Sequence, residues 1–113
     1  MLVLSDIYYR YVPTNCQSGS TTCRLHVSFH GCNQDKKNIQ TQYAEETGFN
    51  GWAEANNIIV MYPYAVSSTM PSNPNACWDW WAYSGKDYAY KTGKQMKFVK
   101  DMIDRVVKKA YTT

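Results

Sequence analysis

Apolar and polar residues alternate strictly between positions 24 and 30: Leu25, Val27 and Phe29 are separated by Arg24, His26, Ser28 and His30. A two-residue period puts one set on each face of a pleated chain, so this stretch predicts a strand. Gly31 follows, where a missing Cβ permits a sharp bend. Residues 7–12 are β-branched and aromatic and stop at Pro13, which predicts a second strand, at an edge. Being close in sequence, these two strands are expected to pair antiparallel around a long tip. Residues 58–62 are apolar without interruption up to Pro63. That pattern predicts a strand covered on both faces, as in a parallel sheet. Between the strands, a short helix is expected over 39–48, ended by Gly48. A second is expected over 51–57, capped by Asn50, with Trp52 and Ala53 turned inward. Strand, helix, strand is a βαβ unit with a right-handed crossover. Near the C-terminus Met96, Val99, Ile103, Val106 and Ala110 recur at three and four residues, the apolar stripe of a helix. Lys94, Lys97, Lys100, Asp101, Asp104, Arg105 and Lys108 fall on its solvent side, and Lys108 and Lys109 suit its negative end. The expected class is α/β, with about three strands and helices after the second strand and at the C-terminus.

The segments between are polar: 14–22, 33–38 and the Ser-, Pro- and Asn-rich 66–76 all predict loops. The last of these runs into Cys77-Trp-Asp-Trp-Trp-Ala-Tyr83. Three tryptophans in four positions cannot all face one core in any regular structure, so at least one is expected at a surface or cleft. A chain of 113 residues makes a single small domain, 1–113. Its 44% hydrophobic content argues against disorder. A net charge of +3 is too little for a nucleic-acid binder. The apolar run 1–4 is too short for a membrane span or a signal peptide, so an export signal, if there is one, is expected outside this chain.

Four cysteines, at 16, 23, 32 and 77, suggest an oxidising compartment, with reduced thiols as the alternative. Three pairings are open in principle. The short polar loop between Cys16 and Cys23 favours that pair, which leaves Cys32 with Cys77. Neither Cys-x-x-Cys nor His-x₃-His occurs, so no metal or other cofactor is expected. Amides just beyond a strand have no ladder partner and can point at a ligand oxygen. The plainer alternative is an ordinary strand and turn, since His-Gly alone is a weak signal. Cys32 as a thiol nucleophile is disfavoured by its disulfide partner. His30 is expected to brace the turn, and His26 to lie on the sheet or surface. Asp79, among tryptophans, could carry a raised pKa, but a capping role for nearby N–H groups is favoured.

Residues 25–32, Gly48-Phe-Asn-Gly-Trp-Ala-Glu-Ala-Asn56, Ile58-Ile-Val-Met-Tyr-Pro63 and Cys77-Trp-Asp-Trp-Trp81 together resemble the extracellular poly(3-hydroxybutyrate) depolymerases and related feruloyl-esterase-like α/β-hydrolases. Tyr11-Val-Pro13 with Cys16, and Gly93-Lys-Gln-Met96, look like the same family. The resemblance runs from about residue 8 to 107. It implies a partial α/β-hydrolase sheet and a serine esterase working through a Ser-His-Asp triad. It implies that the Cys32 backbone N–H is an oxyanion-hole donor, that a Cys32–Cys77 bridge pins its loop, and that one or more of Trp78, Trp80 and Trp81 line the crevice for an acyl or polymer chain. Tyr64 stands where the family often has Gln. No Gly-x-Ser-x-Gly occurs, and Ser84-Gly85 is only a fragment of it. The family has two circularly permuted chain orders, and in both the triad is expected outside this stretch; ending after the last helix favours the order with the serine upstream. The chain thus reads as part of a secreted, extracellular carboxylic-ester hydrolase that is inactive alone. Its partners would be a polyester or small ester and the missing part of the hydrolase domain, with neither nucleic acid nor membrane. The alternatives are a non-catalytic binding module for apolar polymer or aromatic ligand, and a truncated gene product whose half-sheet exposes an edge.

Overall fold

A computed structural model describes residues 2–4, 8–19 and 21–112, with side chains over 8–19 and 21–108. Its centre is β4, Ile58–Pro63, the strand with the longest unbroken apolar run. Val60, Met61 and Tyr62 are fully enclosed because both faces of β4 are covered. On one side β4 pairs in parallel with β3, Arg24–Val27, matching Leu25 to Ile59 and Val27 to Met61. On the other it pairs antiparallel with β2, Tyr8–Tyr11, matching Tyr9 to Tyr62. A further strand, β1 (Leu2–Leu4), pairs antiparallel with β2 and completes the order β1-β2-β4-β3.

Four sequence expectations are corrected here. The sheet has four strands rather than three, and it is mixed. The 24–30 strand is shorter than predicted. Strands β2 and β3 do not form a hairpin; β4 lies between them. The physical reason is that β4, apolar on both faces, is the strand best buried at the centre, where its backbone groups pair with β3 at one edge and β2 at the other. The predicted edge strand β2 is therefore internal. Ile7 of the predicted 7–12 strand, Met1 and Ser20 lie outside the described residues.

The connection from β3 to β4 is helical, as a βαβ unit requires, but it is broken into α1 (Lys36–Ile39), α2 (Gln42–Glu46) and α3 (Phe49–Asn56). Gln40 has φ +52°, which interrupts the single helix expected over 39–48. Gly48, at φ +86°, precedes α3 as its N-cap, and Asn50 lies inside the helix rather than capping it. There its side chain is useful in another way: Nδ2 donates to Ala44 O and Oδ1 accepts from the Tyr62 hydroxyl. Ala53 is buried as expected, but Trp52 is 76% exposed. A two-turn helix offers the sheet only a narrow stripe, and Ala53 fills it.

The last helix, α4, spans Lys94–Thr112. It covers one face of the sheet, packing Val99, Met102 and Val106 against Tyr8, Ile59 and Met61. The opposite face meets α2 and α3 through Ala44, Ala53, Tyr9, Val60 and Tyr62. The buried stripe of α4 is rotated from the predicted one: Met102 is enclosed, and Met96 is half exposed. The side chains of Lys109 and Ala110 lie outside those described. Lys100 pairs with Asp104 one turn on, on the solvent side.

Candidate functional site

The chain leaves the sheet after Val27. Ser28 makes the last ladder-like bond, its N–H donating to Met61 O at 2.9 Å. Its buried hydroxyl meets the Tyr43 hydroxyl at 2.9 Å, and Tyr43 in turn donates to Phe29 O at 2.8 Å. Since a hydroxyl has one proton, Ser28 is the donor of that first bond. The bend itself is closed by Gln34, whose Oε1 accepts from Gly31 N–H at 2.7 Å. A Cβ on residue 31 would stand 2.9 Å from that oxygen, a contact that the flexible end of Gln34 could relieve by shifting, at the expense of this hydrogen bond.

His30 is buried and uses both ring nitrogens. Nδ1 lies 2.6 Å from Gly31 O and Nε2 accepts from Ala65 N–H at 3.0 Å. Nδ1 must therefore carry the proton and the ring is neutral. Burial pushes its pKa down, against the smaller upward pull of the Gly31 carbonyl and Asp35. The expected bracing role is what the geometry shows. His26 is exposed against Phe49, ring centroids 5.1 Å apart.

Two more links join the bends after β3 and β4. Both disulfides of the sequence reading are present, Cys16–Cys23 and Cys32–Cys77. Asn33 N–H donates to Asn75 O at 2.7 Å. The fully buried Asn73 then fixes residue 77: Oδ1 accepts from Cys77 N–H at 3.0 Å, and Nδ2 donates to the carbonyls of Cys77 and Val66. Cys32 is exposed and lies beyond the ladder. Among the described residues its amide donates to no backbone or side-chain acceptor. Tyr64 packs its ring 5.9 Å from that of His30, and burial raises its pKa.

The three tryptophans diverge. Trp78 turns inward, stacking edge-on with Phe29 at 5.2 Å and tilted over His30 at 5.7 Å. Its indole Nε1 is buried without a hydrogen-bond partner among the described residues. Trp80 is 71% and Trp81 39% exposed, the two rings in contact at 5.0 Å. Asp79 organises this turn. Its carboxylate accepts from the N–H groups of Trp81, Tyr83 and Ser84 and from the Ser84 hydroxyl. Burial alone would raise its pKa, but these donors outweigh it and hold the carboxyl below its ordinary value. Asp79 is a capping residue, then, and not a protonated acid.

One contributor escaped sequence reasoning. Gln95, at the start of α4, accepts from Asp79 N–H at 2.9 Å and donates to the Tyr83 hydroxyl, which itself donates to Cys77 O at 2.8 Å. A lone Gln outside the apolar stripe gives no periodicity signal; only its place in Gly93-Lys-Gln-Met96 marks it. Through Gln95 the helix is tied to the tryptophan turn, and between them opens an apolar groove of about 670 Å³ lined chiefly by Phe29, Trp78, Tyr88, Met96, Val99 and Ile103. Among the described residues no His, Cys, Asp or Glu cluster could hold a metal ion, and no helix is long and apolar enough to cross a membrane. The described residues include no Ser–His hydrogen bond; Ser28 and Ser84 are bonded to Tyr43 and Asp79.

The chain is similar to the poly(3-hydroxybutyrate) depolymerase of Delftia acidovorans, 48% identical over 99 residues that cover 87% of this chain and 19% of that protein. It is 38% identical over 108 residues to the polyhydroxybutyrate depolymerase of Talaromyces funiculosus, covering 88% of this chain and 32% of the relative. Among solved structures it superposes on the PHB depolymerase from Penicillium funiculosum with a TM-score of 0.75 at 41% identity, over 79% of this chain and 31% of that one. It also superposes on a serine-to-alanine PHB depolymerase complexed with an R3HB trimer, TM-score 0.79 at 40% identity, over 81% and 32% of the two chains. No protein-family model matches. The chain thus spans about a fifth to a third of the length of the relatives it is similar to.

Proposed function

We propose, from the premise that this chain is homologous over most of its length to one part of the poly(3-hydroxybutyrate) depolymerases, that it forms the oxyanion-hole loop and an aromatic wall of a site that hydrolyses carboxylic esters. The single observation that supports this most is the Cys32 amide. It lies outside the ladder on a bend fixed by His30, Gln34 and the Cys32–Cys77 bridge. A fixed N–H costs no reorganisation when negative charge develops on a carbonyl oxygen. Trp78, next to Cys77, would border the acyl chain, with the more exposed Trp80 and Trp81 further out. One solved relative is complexed with an R3HB trimer, and this supports a polyester as the ligand class. The two disulfides accord with secretion into an oxidising compartment.

In this reading the attacking serine, its histidine and its aspartate are supplied by polypeptide outside these 113 residues, and the chain alone hydrolyses nothing. Two measurements test it. Titrating the chain with 3-hydroxybutyrate trimer should move the Cys32 amide and Trp78 indole resonances together; a trimer that moves neither refutes the loop assignment. Incubation with a p-nitrophenyl ester should give no turnover above buffer, whereas turnover indifferent to serine-hydrolase inhibitors would overturn the placement of the triad. The exposed, contacting Trp80–Trp81 pair favours a second reading, adsorption of apolar polymer without cleavage. Under it, replacing both by Ala weakens adsorption while the trimer shifts at Cys32 never appear.

A further inference from the structure

Five rings form a row from the sheet to the tryptophan turn. Tyr9 on β2 meets Tyr64 edge-on at 5.7 Å. Tyr64 lies 5.9 Å from His30, tilted by 32°, and His30 lies 5.7 Å from Trp78, tilted by 41°. Trp78 in turn meets Phe29 edge-on at 5.2 Å. Among the described residues no ring contact joins Tyr64 to Trp78 directly, and His30 is the link between them. The backbone at Trp78 is held through Cys77, which the Cys32 bridge and Asn73 fix. A fixed backbone still leaves a side chain its staggered choices. The indole N–H has no hydrogen bond among the described residues to choose between them, and the ring borders an open groove. Its angle is therefore set by packing against His30 and Phe29.

His30 is placed by hydrogen bonds at both ring nitrogens, but a hydrogen bond keeps most of its strength over about 30° of tilt. The rings packed on the imidazole remove that freedom. Tyr43 meets it only edge-on, at 6.3 Å, whereas Tyr64 lies closer and is itself immobilised, 6% exposed and set against Tyr9. The Tyr64 hydroxyl stands 3.5 Å from Gln40 O, the outer limit of a hydrogen bond, so the ring and not the hydroxyl does the holding. We infer that Tyr64 is a positioning residue of the ester site: buried away from the ligand, it sets the angle of the Trp78 ring through His30, and with it the fit of the aromatic wall to an acyl chain whose carbonyl lies at the Cys32 amide. This rests on the ester-site reading above. His30 stands two residues before Cys32 and Trp78 one residue after Cys77, so the covalent bridge and the row of rings join the same two bends by separate routes. The amide and the wall then form one rigid unit, which a ligand long enough to touch both meets without reorganisation.

The test is a double-substitution cycle on this chain, read as affinity for the 3-hydroxybutyrate trimer from the shift of the Cys32 amide. Tyr64→Leu should weaken binding by about tenfold in the parent chain, the worth of one good aromatic contact. In a Trp78→Leu background, where no indole remains to be aimed, the same change should weaken it by less than about twofold. Tyr64→Phe, which keeps the ring, should bind like the parent. Equal losses in the two backgrounds overturn the inference, because a residue that only supports the fold acts whether or not the indole is there. So does a Tyr64→Leu chain that binds as tightly as the parent, or a Tyr64→Phe chain that binds as weakly as Tyr64→Leu. Circular dichroism checks that each variant is folded. If Tyr64→Leu is not, Tyr64→Met, which fills the space with a flexible chain, takes its place under the same outcomes; if neither folds, Tyr64 is a core residue alone and the inference falls. A parent chain whose Cys32 and Trp78 resonances both ignore the trimer refutes the ester-site reading and this inference with it, whereas a parent that binds and a Tyr64→Leu without effect refute the inference alone.

Discussion

His30 ties its own bend to the one after β4 with a neutral ring, and this gives the chain a pH dependence of known sign. Burial lowers the folded pKa beneath the free value of 6.5. On acidification the unfolded chain takes up its proton first, so the stabilisation is complete above about pH 6.5 and is lost as pH falls below it. Urea midpoints at pH 7.5 and 5.5 should therefore differ, and His30→Gln should shrink that difference; an unchanged difference would mean the ring is not held neutral. Asp79 acts lower on the scale. Its folded pKa is depressed from 3.8, so its contribution persists above that value and fades as pH drops through the folded one. Asp79→Ala strips an acceptor from three amides and a hydroxyl, and should cost about 1–2 kcal/mol by denaturant unfolding, the range for losing a capping carboxylate.

Among the elements, the two disulfides differ in leverage. Cys16–Cys23 closes a separation of 7 residues and Cys32–Cys77 one of 45. Chain-entropy arithmetic gives about 2.5 and about 4 kcal/mol respectively. Replacing both cysteines of the longer bridge by Ser should therefore lower the guanidinium midpoint more than the same change in the shorter one. Helix packing makes a second contrast. Met102→Ala, at an enclosed site on α4, should cost about 2–5 kcal/mol, whereas Trp52→Ala should stay within about 0.5 kcal/mol. The latter outcome runs against intuition from sequence, where Trp52 reads as core. Legibility followed how local the deciding physics was. The run 58–63 and the three-four repeat of 96–110 announce their elements because periodicity is a property of the segment itself. Which strand β2 joins is decided by competition among distant partners, and neighbours in sequence lost to β4. The Cys16–Cys23 pair is readable from its short loop and leaves Cys32 for Cys77, while the capping by Asp79 is readable only as the alternative to a triad role it has no histidine to support. The groove was not, because it needs Gln95 and Met96 brought across to Trp78 by a helix whose rotation the repeat alone leaves undetermined.

At the scale of the whole chain, one strand holds two cores together. Met61 faces α4 and Val60 faces the short helices, so neither layer can loosen without uncovering β4. Unfolding should be a single transition: tryptophan fluorescence, reporting the α4 side through Trp78, and far-ultraviolet circular dichroism should give coincident curves in urea. Separate midpoints would show the two layers to be independent. The bends after β3 and β4 share three ties of different chemistry, an imidazole bridge, a peptide hydrogen bond and a sulfur–sulfur link. A reducing agent cuts just one of them. A chain produced in the cytosol of an expression host should thus keep the mouth of its cleft roughly in shape, lowered in heat tolerance yet still able to recapture its bridge on exposure to air.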